Sequence, residues 1–282
     1  MTVGACLQGG RRRIPTDEMA SRKEQKMQAR DRRLAEERTL RERAQRRLRI
    51  RMLGGVGVVA AAFVAVAIAV SSGASGSSPK PHSAAAQRTA ATVDALLKGI
   101  PESGNTLGSP NAKVTLTEFG DLKCPICRQF ALGAQKQLIA TDVRAGRLKI
   151  DYRSLCTATC AGPQPGAFST QQVAALAAGE QDRAWYYIEL FYHLQGDETT
   201  SYVTPSFLDN LAKLVPGLNY GKWVSDRGSS TLAGRVTADQ RAAQAAGFSG
   251  TPSVMVKGPK GVRKIAYLGD YATYEAAIKA VQ

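Results

Sequence analysis

Two cysteines separated by two residues, Cys124 and Cys127, form the pattern in this chain that most directly indicates chemistry. They follow an alternating segment, VTLTEF, and open a segment of helical composition that begins at Pro125. Residues i and i+3 share one face of a first helical turn, close enough to form a disulfide. The free amides of a helix N-terminus favour negative charge, so we expect Cys124 to be the reactive thiolate and Cys127 the resolving thiol. An inert disulfide or half of a zinc site is the alternative.

A second pair, Cys156 and Cys160, lies in the sequence CTATC. Three interpretations are open: a structural disulfide, a relay that exchanges with the first pair, and free thiols or metal ligands. The structural disulfide is preferred because a four-residue spacing can close a disulfide in a loop or a helical turn. The four cysteines together superficially resemble a zinc site, but a strand–helix context and an oxidising location count against one, and we predict no metal.

The elements that must position these cysteines follow from the hydrophobic pattern after Ala112. Their order is β-α-β, then a block of helices, then β-β-α. The predicted strands cover residues 114–119, 148–152, 253–256 and 264–268. The predicted helices cover residues 125–145, several stretches within 169–215, then 235–246 and 274–281. This order predicts an α/β fold with a helical insertion at about residues 165–245.

The run VTLTEFGDLKCPICRQF, with SGTPSVMV far downstream, resembles the DsbA-like branch of the thioredoxin superfamily. More closely, it resembles bacterial membrane-anchored thiol–disulfide oxidoreductases, over about residues 95–282. The resemblance implies a thioredoxin-like fold in which Cys124 attacks and Cys127 resolves. It implies that Pro252 is the family's cis-proline beside the cysteines. It also implies that Thr251 pairs with the substrate strand and tunes the cysteines; a simple turn is the alternative for this segment.

The family often has an acid beneath its active site, six residues before the first cysteine, where this chain has Glu118. A buried carboxylate there could relay protons or raise the pKa of a cysteine. The alternative is an acid on an edge strand facing water, and Asp121 is a competing candidate. The Pro-Ile pair between the cysteines departs from family members with histidine there, which puts a very strongly oxidising potential in doubt. His82 and His193 have no evident ligand partners and are interpreted as structural.

The N-terminal part of the chain indicates a membrane anchor. Residues 1–51 carry a net charge of +9 out of +15, and residues 52–70 are 19 residues without a charge or proline. At 1.5 Å per residue such a helix spans about 28 Å, close to the hydrocarbon core. The positive-inside rule places the basic segment, with Cys6, in the cytoplasm and the remainder outside.

Residues 71–94, rich in Ser, Gly and Ala, are predicted to be a flexible linker, although a short helix over 91–100 is also suggested. A cleaved signal peptide is the rival to a retained anchor.

These observations predict a single-pass membrane protein with an extracytoplasmic thiol–disulfide oxidoreductase domain that oxidises cysteines of exported proteins. The predicted mechanism needs no metal or organic cofactor, and the resemblance implies a membrane redox partner that reoxidises the enzyme. A reductase or isomerase of the same fold stays open. A non-catalytic zinc-stabilised or substrate-binding module is the alternative from another class. Nucleic-acid binding is excluded by topology, because the basic segment and the folded domain lie on opposite sides of the membrane.

Overall fold

The structure, a computed structural model, describes residues 79–265 and 269–282. The described part is built on a six-stranded sheet in the order β1-β2-β4-β3-β5-β6. The strands are β1 (Glu102–Ser103), β2 (Thr106–Leu107), β3 (Val114–Gly120), β4 (Leu148–Ser154), β5 (Ser253–Gly258) and β6 (Gly261–Ile265). β3 is parallel to β4 and antiparallel to β5, and every other pairing in the sheet is antiparallel. The central position of β3 determines where the cysteines lie, because they follow its carboxyl end.

Helices surround the sheet. They are α1 (Ala84–Leu97), α2 (Pro125–Phe130), α3 (Lys136–Leu138), α4 (Ala158–Ala161), α5 (Ala167–Gly179), α6 (Ala184–His193), α7 (Pro205–Ala212), α8 (Tyr220–Asp226), α9 (Ser230–Ala245) and α10 (Tyr271–Val281). A π-helical turn, Ala131–Gln135, joins α2 to α3 and contains a kink at Gly133, and a second one, Ile139–Val143, follows α3. Helices α4 to α9 lie in sequence between β4 and β5, so the predicted thioredoxin-like fold with a helical insertion is confirmed.

The strands form where the sequence alternates or stays apolar. In β4 the residues Leu148, Ile150, Tyr152 and Ser154 are buried, and the residues between them are partly exposed. In β3 the same face contributes Val114, Leu116 and Glu118, which lie opposite Leu148, Ile150 and Tyr152 of β4. A carboxylate therefore takes a core position in an otherwise apolar central strand.

The insertion contributes an aromatic cluster to the core that it shares with the sheet. Its fully buried members include Trp185, Tyr187, Phe191, Tyr192 and Trp223. Most of these lie in α6, whose sequence is AWYYIELFYH. Large aromatic side chains bury much apolar area, so they stabilise the insertion and its packing on the sheet.

The segment predicted to be a flexible linker, residues 71–94, contains most of α1, and the prediction is wrong for residues 84–94. Ser83 caps the helix by accepting a hydrogen bond from the amide of Ala86 at 3.2 Å. Ala86, Val93 and Leu97 are buried at helical spacing. Ala-rich sequence suits a linker by composition, yet alanine is also the best helix former, and the buried face decides the outcome.

One further difference concerns the N-terminal part of the domain, whereas the predicted anchor is not tested by the described residues. Residues 101–111, whose sequence PESGNTLGSPN is typical of turns and loops, contain the β1–β2 hairpin. The basic segment with Cys6, and the apolar run 52–70, lie outside the described residues. Within residues 79–265 and 269–282, no helix is both long enough and apolar enough to cross a membrane.

Candidate active site

The two cysteines lie where the central strand meets the first helix of the fold. β3 ends at Gly120, Cys124 is the N-cap of α2, and Pro125 occupies the first helical turn, where its missing amide costs no hydrogen bond. Both thiols are free, and both residues are buried. Ile126, between them, is 45% exposed. The motif therefore presents an apolar side chain to solvent while Cys127 lies beneath it.

Cys124 is adapted to be a thiolate at neutral pH. Its pKa is lowered to about 6, chiefly because the Cys127 side chain donates a hydrogen bond to it; burial opposes this effect. The Thr251 side chain and the backbone amides of Cys127 and Ile126 lower the pKa further. The sequence predicted only the effect of the helix amides, and the structure adds the Cys127 side chain as the larger contribution.

Cys127 has the opposite character. Burial raises the pKa of its thiol well above the ordinary value, and the proximity of Cys124 and Glu118 raises it further. One cysteine of the pair is therefore held as a thiolate and the other as a protonated thiol. This asymmetry is what directional disulfide exchange requires.

The Thr-Pro pair is far from the cysteines in the sequence but lies beside them in the fold. The Thr251–Pro252 peptide bond is cis and immediately precedes β5, which pairs with β3. The Cys124 sulfur lies 3.7 Å from the carbonyl oxygen of Thr251. The pair that the resemblance implies beside the cysteines thus lies next to the Cys124 sulfur.

Glu118 lies inside the sheet and not on an edge strand. The side chain is fully buried, and burial raises its pKa to about 8, although Gln135 donates a hydrogen bond to Oε2. The other carboxylate oxygen has no hydrogen-bond partner within the described residues. Glu118 therefore holds a proton at neutral pH. When it ionises at higher pH, it lies close enough to Cys127 for its charge to raise the pKa of that thiol.

Asp121, the competing candidate, is also buried, but its role in the structure is to hold loops together. Its carboxylate accepts hydrogen bonds from the backbone amides of Lys123, Thr157 and Thr159 at 2.9–3.1 Å. It also accepts from the Gln171 side chain at 3.1 Å and from the Thr159 hydroxyl. Asp121 therefore joins the loop before Cys124 to the loop after β4.

Cys156 and Cys160 form a disulfide across that second loop, with Cα atoms 5.8 Å apart. Of the three interpretations that the spacing left open, the structure contains the disulfide. Two of the four cysteines are thereby paired, and the described residues contain no cluster of His, Cys, Asp and Glu suited to a metal ion. The hydroxyl groups of Thr157, inside the loop, and Thr251 hydrogen-bond to each other.

Two residues of the site gave no usable signal in the sequence. Gln195, after α6, donates from Nε2 to the carbonyls of Leu122 (2.8 Å) and Cys124 (3.1 Å). Lys123 is buried, and its ammonium group donates to the Thr200 carbonyl at 2.6 Å. Both contacts tie the insertion to the active-site loop across more than 70 residues. The one sequence signal for either residue is that Lys123 directly precedes the Cys124–Cys127 motif.

A further buried acid lies within the insertion. Glu189 of α6 is fully buried, and neither of its carboxylate oxygens has a hydrogen-bond partner within the described residues. Burial raises its pKa to about 8, and the charge of Glu118 contributes. On the same helix His193 is kept neutral, because burial lowers its pKa to about 4. The helix thus carries two groups that folding keeps uncharged at neutral pH.

A thioredoxin-like sheet with an N-capping cysteine, a resolving cysteine and an adjacent cis-proline defines a thiol–disulfide oxidoreductase of DsbA-like type. The thioredoxin family model matches residues 102–280, more than half of the chain, and the chain belongs to this family.

Several relatives and solved structures are similar to the chain. The probable disulfide bond formation protein D of Bacillus anthracis is 28% identical over 157 residues, which cover 54% of this chain and 69% of the relative. Disulfide bond formation protein D of Bacillus subtilis is 27% identical over 165 residues, which cover 57% of this chain and 68% of the relative. The crystal structure of oxidised BdbD from Bacillus subtilis has a TM-score of 0.55 at 23% identity and covers 64% of this chain and 94% of that one. The crystal structure of DsbA from Chlamydia trachomatis has a TM-score of 0.52 at 18% identity, and it covers 62% of this chain and 89% of that one.

Proposed function

We propose that this chain is an extracytoplasmic thiol–disulfide oxidoreductase that oxidises cysteine pairs in exported proteins. The observation that carries the proposal is the unequal pair of thiols: Cys124 is stabilised as a thiolate beside Thr251, while Cys127 is buried and protonated. A stabilised thiolate favours the reduced enzyme, which makes its disulfide a better oxidant. The names of the two Bacillus relatives, disulfide bond formation protein D, support the same direction.

In the proposed reaction the oxidised enzyme carries the Cys124–Cys127 disulfide. A substrate thiolate attacks the Cys124 sulfur, forming a mixed disulfide, and Cys127 leaves as a thiolate that takes up a proton. A second substrate thiolate then attacks its own partner sulfur in the mixed disulfide and releases Cys124 as a thiolate. Two electrons pass from substrate to enzyme, and a membrane redox partner must remove them.

The surrounding residues have proposed roles in these steps. Glu118, protonated and buried near Cys127, is proposed to supply or accept the proton when that thiol changes its ionisation state. Thr251 and Pro252 are proposed to receive the substrate backbone at the edge beside Cys124. The exposed side chain of Ile126 is proposed to contact substrate apolar groups.

The test is the reduction potential of the Cys124–Cys127 pair in the full-length protein, equilibrated with glutathione and measured by thiol trapping. A value well above about −200 mV supports an oxidase, whereas a value near about −270 mV contradicts that direction and indicates a reductase. Cys124→Ser should abolish oxidation of a dithiol peptide. Cys127→Ser cannot form the Cys124–Cys127 disulfide and should also lose this oxidation. When it is given the oxidised peptide instead, its Cys124 thiolate should attack the peptide disulfide, release one peptide thiolate and accumulate the mixed disulfide, because the resolving thiol is missing. Activity retained by Cys124→Ser would exclude the mechanism.

We also propose that residues 52–70 anchor the protein in the membrane as a single span, with residues 1–51 in the cytoplasm and the folded domain outside. The support is the uncharged 19-residue run that follows a strongly basic segment. Reporter fusions after residues 51 and 282 should report opposite sides of the membrane. A cytoplasmic reporter at residue 282 would exclude this topology.

A further inference from the structure

The loop closed by the Cys156–Cys160 disulfide is fixed at several points. The disulfide joins its two ends, and Asp121 accepts hydrogen bonds from the backbone amides of Thr157 (3.0 Å) and Thr159 (2.9 Å). A loop with this many anchors holds its side chains in defined directions. The side chain of Thr157 is directed at the Thr251 side chain, 94 positions further along the chain.

The Thr251 hydroxyl stands between Thr157 and the reactive sulfur. It hydrogen-bonds to the Thr157 hydroxyl, and the carbonyl oxygen of Thr251 lies 3.7 Å from the Cys124 sulfur. The Thr251 side chain also lowers the pKa of Cys124. A hydroxyl has a single proton to donate and oxygen lone pairs that accept. When Thr251 donates to the Cys124 thiolate, its contact with Thr157 can be a hydrogen bond only if Thr157 is the donor. The three groups then form one directed chain from Thr157 through Thr251 to Cys124, in which each hydrogen bond polarises the next.

We propose that Thr157 is a positioning residue that orients the Thr251 hydroxyl toward Cys124, and that the Cys156–Cys160 disulfide holds Thr157 in place for this task. Thr157 is not a catalytic residue, because its hydroxyl bonds to Thr251 and its amide to Asp121, and neither group bonds to the reacting sulfur. The ionisable groups that interact with Cys124 directly are Cys127 of α2 and Glu118 of β3, and neither touches the Thr157 hydroxyl. The inference rests on the proposed role of Cys124 as the attacking thiol.

The test measures the rate at which iodoacetamide alkylates Cys124 as a function of pH, by mass spectrometry of the peptide from the full-length protein. The protein is first reduced mildly, so that the Cys124–Cys127 disulfide opens. The same digest shows whether the Cys156–Cys160 disulfide is intact, and only molecules that retain it are counted. Thr157→Val should raise the pKa of Cys124 by about half a unit, a roughly threefold loss of thiolate relative to thiol. Thr157→Ser should keep the pKa near that of the wild type, because it retains the hydroxyl.

A double-mutant cycle separates this role from a general effect on the loop. Thr251→Val removes the hydroxyl that Thr157 orients, so Thr157→Val should have no further effect in that background. Equal shifts in both backgrounds, or a wild-type pKa for Thr157→Val, would overturn the proposal. An ordinary pKa near 8.5 in the wild type would instead contradict the proposed function itself.

The disulfide is tested in the same assay. The double variant Cys156→Ser/Cys160→Ser, which lacks the disulfide, should raise the pKa of Cys124 as Thr157→Val does, and Thr157→Val should add little in that background. An unchanged pKa in the double variant, with the thermal unfolding transition retained, would overturn the role of the disulfide.

Discussion

At the scale of single residues, the difference between two identical side chains is set by their neighbours. Cys124 accepts hydrogen bonds at a helix N-terminus, whereas Cys127, three residues later, is surrounded by apolar side chains and lies near Glu118. The same covalent group therefore has a lowered pKa in one position and a raised pKa in the other. The largest single contribution to the Cys124 thiolate comes from its own partner in the motif.

Cys127→Ala should therefore raise the pKa of Cys124 above about 6, because the replacement removes the hydrogen-bond donor with the largest effect. We expect a rise of about one unit, in line with a hydrogen bond to a charged group. The pH dependence of Cys124 alkylation measures it. Cys127→Ser keeps a donor at the same position and is the matched control, for which a smaller rise is expected. Equal pKa values in Cys127→Ala and the wild type would show that the helix amides and Thr251 are sufficient without the Cys127 side chain.

The sequence predicted the cysteine pair, Glu118 and the Thr-Pro pair, because these residues lie in short runs that the resemblance covers. It could not predict the contacts that complete the site. Thr157 meets Thr251 across 94 positions, and Gln195 meets Cys124 across 71. Contacts of this kind depend on how the insertion packs on the sheet, and neither residue type nor local spacing contains that information.

At the scale of elements, the insertion and α1 extend the thioredoxin-like sheet into one packed domain. α6 contributes Tyr187 and Phe191 to the aromatic core, and α1 contributes Val93 and Leu97 to the buried residues. Gln195 then connects the end of α6 to the active-site loop. The insertion is therefore part of the support of the cysteines as well as a cover for the sheet.

Val93→Ala should lower the free energy of unfolding by about 2 kcal/mol, because Val93 is 1% exposed and its loss leaves a cavity. Val224, on α8, is 48% exposed and provides the matched control. Val224→Ala should change the free energy by less than about 0.5 kcal/mol. Urea denaturation measures both variants. Equal effects would mean that α1 does not belong to the cooperative unit.

The element order was predictable because β3, β4 and β5 have strong strand patterns and the helices between them are rich in apolar residues. The hairpin at residues 101–111 was not, since its two-residue strands are too short to carry a periodicity. The start of α1 was missed for another reason. Its sequence, AAAQRTAATVDALL, begins with residues that suit a linker by composition and a helix by propensity.

At the scale of the whole molecule, the domain buries several carboxyl groups that stay protonated near neutral pH. Burial raises the pKa of Glu118 and Glu189 to about 8 and that of Glu102 to about 7. In the unfolded chain these groups ionise near pH 4.5. The folded state therefore binds more protons between these values, so the free energy of unfolding falls as pH rises. His193 acts in the opposite direction, but only below its unfolded pKa of about 6.5.

The oxidised protein should consequently lose stability between pH 6.5 and pH 8. Glu118→Gln and Glu189→Gln should each flatten this dependence, by up to about 1.4 kcal/mol per pH unit. Urea unfolding at several pH values in this window measures the slope. Glu275→Gln is the control, because Glu275 pairs with Lys279 at the surface. A slope that neither buried variant changes would show that these carboxyls ionise normally in the folded state.

Because α1 begins at Ala84, the tether that would join the folded domain to the proposed anchor is short. In the proposed anchored protein, only residues 71–82 separate the apolar run from the Ser83 cap. Twelve residues reach at most about 40 Å when fully extended, whereas the 24 residues 71–94 would have reached about 80 Å. The oxidoreductase domain would then remain within a short distance of the membrane surface. Exported chains would encounter it as they emerge, before they diffuse away, and a reoxidising partner in the same membrane would be within its reach.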